Sequence, residues 1–132
     1  MNMEQLIRTI LGKYKAYMGE AAFLQKILLQ TEDPAIQKRL MLLELRLAAI
    51  NACLNQLNED ELFVIQKHLI DKLDWPRVAS DYAERWNHEF IRTERSLSTY
   101  QTKALKKISV FAQRHKELLL RLFSEGNGEK LE

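Results

Sequence analysis

Hydrophobic positions recur at steps of three and four residues along nearly the whole chain, and no stretch alternates in the two-residue rhythm of a strand. Leu6, Ile10, Tyr14, Tyr17, Ala21, Leu24 and Leu28 form a first series; Ile36, Leu40, Leu43, Leu47, Ile50, Leu54 and Leu57 form a second. Between them, "TEDPA" offers Asp33 as a helix N-cap and Pro34 as the first helical residue. The two series predict a pair of long helices folded back as an antiparallel hairpin over residues 1–57. Leu42, Leu45, Ala49 and Cys53 widen the second series beyond one seam, so that helix needs a further partner, either a second subunit or the C-terminal half.

Asn58 restarts the pattern. With Glu61 it has the spacing of a capping box, and Glu59 and Asp60 favour the positive end of a new helix, which runs to about Asp71. Acids in a first turn have that sufficient structural role, so they are not read as an acid–base pair. Asp74 caps the next helix, with Pro76 in its first turn and Trp75, Val78, Ala79, Tyr82, Ala83 and Trp86 on its apolar face. "NHEFIRTER" is the least periodic stretch. Ser96 is the predicted cap of the final helix, whose buried face falls to Leu97, Tyr100, Ala104, Leu105, Ile108, Phe111, Ala112 and Leu119. The expected fold is all-α: the hairpin 1–57, a helical module 58–123 and a flexible tail 124–132.

Composition narrows the class. With 46% apolar and 29% charged residues, the 132-residue chain is expected to fold as a soluble domain. Four Gly and two Pro leave little punctuation for hairpins of strands. The single Cys53, in apolar surroundings, reads as a buried reduced thiol in a cytoplasmic protein. No apolar run approaches the ~20 residues of a membrane span. His68, His88 and His115 lie too far apart in sequence to suggest a zinc site. No nucleophile and no Gly-rich phosphate loop accompany them, so no enzyme activity and no cofactor are expected.

Charge changes the picture more. The whole chain is +2, yet between Glu94 and Glu117 lie Arg95, Lys103, Lys106, Lys107, Arg114 and Lys116 with no carboxylate, leaving −4 for the rest. A helix, a tight turn, a short amphipathic helix, a link and a cationic helix with a small polar start are the ordered parts of a helix-turn-helix DNA reader. Ser98, Thr99, Gln101 and Thr102 are the expected base-facing set, with Gln101 able to address adenine. Lys103, Lys106 and Lys107 are the expected phosphate set, and Arg92 and Arg95, in the link, would clamp the flanking backbone. Trp75 and Trp86 are read as core anchors rather than base-stacking platforms.

"LNEDELFVIQKHLIDKLDWPRVASDY" followed by "SLSTYQTKALKKI" resembles region 4 of the sigma-70 class. It is most similar to the related phage-type ArpU/RinA-like transcriptional regulators. Leu57, Glu61, Val64 and Ile65 match that family's opening; Trp75, Val78 and Ala79 its middle; Ser96, Thr99, Lys103, Ala104, Leu105 and Ile108 its close. The likeness covers roughly residues 40–112. It departs at the link between Tyr82 and Ser96, which is longer than the family's turn. The resemblance implies a sequence-specific regulator of bacterial or prophage type, binding double-stranded DNA and in some cases RNA polymerase.

The N-terminal helices would then make a homodimer. Two other readings compete: a helical protein–protein interaction module that binds no DNA, and a ring-forming phage DNA-packaging subunit of small-terminase type.

Overall fold

The computed structural model describes residues 2–86 and 92–124. The expected flexible tail therefore lies, Ser124 apart, outside the described residues, as do His88 and the middle of the link. Every described element is helical: α1 (Met3–Gly12), α2 (Tyr14–Leu28), α3 (Pro34–Leu54), α4 (Glu59–Val64), α5 (Trp75–Arg85), α6 (Glu94–Gln113) and α7 (Lys116–Phe123). The all-α expectation is met.

The caps predicted for α3, α4 and α5 form as read. The Asp33 carboxylate accepts from the Ala35 N–H, with Pro34 opening α3. Asn58 and Glu61 make both bonds of the capping box at α4, and Asp74 accepts from the Arg77 N–H at α5. Each satisfies backbone donors that a helix start leaves without a partner.

The N-terminal series is not one helix. It breaks at Gly12 and Lys13, where the weakest helix former short of proline is followed by a residue that ends α1 and starts α2 with no side-chain cap on the new helix. The hairpin is therefore α2 against α3. It is tied by Tyr14 Oη donating to Asn51 (2.9 Å) and by a bidentate Arg39–Glu20 pair (2.8 and 2.9 Å). Helix α1 turns away and packs on α6 and on residues 65–70. It contributes Leu6, Ile7, Ile10 and Leu11 to a core that also holds Leu43, Ile50, Ile65, Ile70, Leu105 and Ile108. That core runs without interruption from the hairpin into the C-terminal half.

Helix α4 widens into a π-helical turn at Ile65–Ile70. Bonds from i to i+5 bring Ile65 and Ile70 toward one side, and both are buried. A second, smaller core sits beside it: Val64, Val78, Tyr82 and Leu97, bordered by Phe63, Trp75, Trp86 and Tyr100. Tyr82 stacks on Trp86 (4.3 Å) and donates to Asp60 (2.9 Å), which fastens α5 to α4. Both tryptophans are thus partly buried packing residues, as read from the sequence.

Arg46 closes the other end. It is fully buried, its Nε donates to the Leu122 carbonyl (2.7 Å), and its guanidinium lies over the rings of Tyr17 and Phe123. This anchors α7 across the hairpin.

Candidate nucleic-acid interface

Helix α6 starts earlier than its sequence suggests. Thr93, not Ser96, is the N-cap: its hydroxyl accepts from the Ser96 N–H (3.1 Å). A threonine followed three residues later by serine is a weak cap signal beside the Ser96 that follows it, which explains the shift. Two consequences correct the expected site. Arg95 lies in the first turn of α6 rather than in the link, and Ser98–Thr102 lie in its second and third turns rather than at its tip.

Gln101 faces inward. Only 6% of it is exposed, and its Oε1 lies 2.6 Å from Nδ1 of His68. An amide oxygen only accepts, so Nδ1 carries the proton in this bond. His68 is presented by the π-helical turn and stacks on Trp75 with ring centroids 3.8 Å apart. The expectation that Gln101 stands on the solvent face with Ser98, Thr99 and Thr102 is therefore corrected. The apolar stripe Leu97, Ala104, Leu105, Ile108 wraps far enough round α6 to take position 101 with it.

The remaining hydroxyl residues keep outward positions to different degrees. Thr99 and Thr102 are exposed, and Ser98 is half-buried. The Thr99 and Thr102 hydroxyls donate to the Arg95 and Ser98 carbonyls of their own helix (3.0 and 3.1 Å). What they turn outward is acceptor oxygen and methyl.

The cations divide into two groups. Lys107 is held: its Nζ lies 2.7 Å from Oε1 of Glu61, a carboxylate only 2% exposed as a residue. Arg92 donates from Nε to the Tyr100 hydroxyl (3.2 Å), which raises its pKa above the ordinary arginine value. Tyr100 thereby gains the partner its place on the apolar stripe required. By contrast Arg95, Lys103 and Lys106 are exposed and pair with no described carboxylate. Three cations outside α6 are compensated: Arg77 and Lys67 share Asp81, and Arg85 reaches Glu59.

Lys103, Lys106 and Lys107 wall a groove of about 630 Å³ between α6 and the α3–α4 connection. Gln56, Asn58 and Glu61 form the opposite wall, Val110 and Phe111 supply apolar surface, and Arg114 closes one end. The groove is not legible in the sequence because its far wall lies more than forty residues away. The signal on α6 is present: positions 103, 106, 107, 110 and 114 share one helical face. Among the described residues no cluster of three or more His, Cys, Asp or Glu side chains could hold a metal, and no helix is long and apolar enough to cross a membrane. No family model matches this chain, and no curated protein or solved structure matches it.

Proposed function

We propose that the chain is a DNA-binding protein of transcription-regulator type that lays the exposed face of α6 against a duplex. One observation carries the reading: Lys103 and Lys106 project from α6, beside Arg114, with no described carboxylate to neutralise them. Cations left open side by side on one helix face, where no carboxylate occurs between Glu94 and Glu117, make a polyanion-binding strip. Phosphate binding falls to Lys103, Lys106 and Arg114, with Arg95 one turn beyond the hydroxyl residues. Sequence reading falls to Thr99 and Thr102, whose outward methyls and acceptor oxygens suit a thymine methyl and the amino groups of adenine or cytosine. Gln101 and Lys107 leave the DNA-facing set and become supports. The sigma-region-4 likeness agrees with this role, and through it RNA polymerase is a further proposed partner.

The test is fluorescence anisotropy of a labelled genomic duplex pool, titrated between about 50 and 200 mM salt. Binding is expected to weaken with salt. The Lys103→Gln, Lys106→Gln double variant is expected to reduce the logarithmic salt slope by about 1.8, since each phosphate neutralised by a lysine contributes roughly 0.9. Absence of binding to any duplex at the lowest salt ends this reading. A protein partner would then be favoured, because the groove's apolar floor, with Val110 53% exposed, also suits an amphipathic acidic segment.

A further inference from the structure

Helix α3 spends two of its sides inside this chain. One meets α2, to which Asn51 and Arg39 are hydrogen-bonded; the other meets α6 and α7, where Arg46 reaches the Leu122 carbonyl, and Leu43, Ile50 and Cys53 are buried in the core. Its third side is apolar and open. Met41 is 63% exposed and Leu45 52% exposed, and they continue into Ala48 and Ala52 at steps of four, three and four. That is the a/d spacing of a helix pair, on a face distinct from the one that builds the hairpin.

We propose that this face binds a second copy of the same chain, α3 against α3, in antiparallel orientation about a two-fold axis near residues 46–47. The choice of occupant follows from size and charge along the strip. The two large residues lie in its N-terminal half and the two alanines in its C-terminal half. Antiparallel pairing sets Met41 on the partner's Ala52 and Leu45 on the partner's Ala48, so each bulky side chain meets a small one in every layer. Parallel pairing would stack Met41 on Met41 and leave Ala48 facing Ala48 across a gap. It would also oppose Lys38 to Lys38, whereas the antiparallel register brings Lys38 to the partner's Asn55, an acceptor. Glu44 falls near the partner's Asn51. The Asn51 side-chain oxygen already accepts from Tyr14, so its amide N–H groups are left to donate outward.

Area sets the strength. The 21 residues of α3 span about 31 Å, and two such rods about 10 Å wide cover on the order of 600 Å² in total. Stable complexes bury about 1,200–2,000 Å². The pair is therefore weak in free solution and reports itself as a concentration-dependent equilibrium. It tightens only where two copies are held together, as on one duplex. The association itself does not depend on DNA binding and is measured without it.

Sedimentation equilibrium between about 20 µM and 1 mM tests it. The weight-average mass is expected to climb from the 15.5 kDa of one chain toward twice that value. Met41→Glu with Leu45→Glu, and separately Ala48→Arg, are expected to hold it at the monomer value with helical circular dichroism unchanged. Orientation is read by mixing Met41→Cys and Ala52→Cys chains with a short bismaleimide, Cys53 being buried. Crosslinks between unlike variants are expected. A wild-type chain monomeric throughout the range, or a dimer indifferent to both sets of substitutions, overturns the proposal and leaves the face to some other protein. Crosslinks only between like variants overturn the antiparallel arrangement.

Discussion

The ammonium of Lys107 lies 2.7 Å from a carboxylate oxygen of Glu61 that also accepts the Asn58 N–H. One acid thus closes the capping box of α4 and fastens α6 to it. Removing the lysine leaves a buried carboxylate with its cap bond alone. Lys107→Met is expected to cost about 1–3 kcal/mol in urea unfolding, the lower part of the range for a broken buried pair because the lysine itself is half exposed. Lys103→Met and Lys106→Met are expected to stay within about 0.5 kcal/mol of wild type. Equal unfolding midpoints for all three variants would show that the Lys107 pair is not structural.

That contrast marks where the sequence was informative. The helices α3, α4 and α5 could be read from local chemistry, since Asp33–Pro34, Asn58–Glu61 and Asp74–Pro76 signal their starts within four residues. The break at Lys13 was hidden because Tyr14 continues the apolar spacing on the far side of Gly12, and a heptad pattern tolerates a change of direction without changing its letters. The division of the cations was hidden for a different reason. Lys103, Lys106 and Lys107 are identical in composition and nearly adjacent, and only the approach of Glu61 from another helix separates the held one from the open two. Long-range pairing of that kind leaves no local trace. Gln101 failed at a boundary: one position further round α6 than the leucine stripe demanded, it turned inward because His68 was there to receive it.

Gln101 supplies the second prediction. Its side chain bridges α6 to the π-helical turn through His68, a part-buried bond in which the glutamine is the buried partner. Gln101→Ala is expected to lower stability by about 1–2 kcal/mol by leaving the His68 Nδ1–H without its acceptor and opening a small cavity. The ratio of affinities for different duplexes in a competition binding assay is expected to be unchanged. A variant with wild-type stability and a changed base preference would return Gln101 to the DNA-facing surface and remove it from the core.

Alkaline pH offers a third. Burial pushes the Cys53 thiol up from 9.0 to about 11. Burial, and then the hydrogen bond to Asp60, push the Tyr82 hydroxyl up from 10.0 to about 12. Both groups hold their protons more tightly folded than unfolded, so the unfolded chain loses protons first as pH rises. The stability they contribute is whole below about pH 9 and drains between about pH 9 and 11 for Cys53 and between about pH 10 and 12 for Tyr82, at up to about 1.4 kcal/mol per pH unit for each group. Urea midpoints taken across the range from neutral to about pH 11 are expected to fall steeply only above about pH 9. Tyr82→Phe with Cys53→Ala is expected to start lower at neutral pH, for want of the Asp60 bond and the thiol's packing, and then to decline less. The two curves must converge with rising pH. Parallel curves would mean that neither group titrates late.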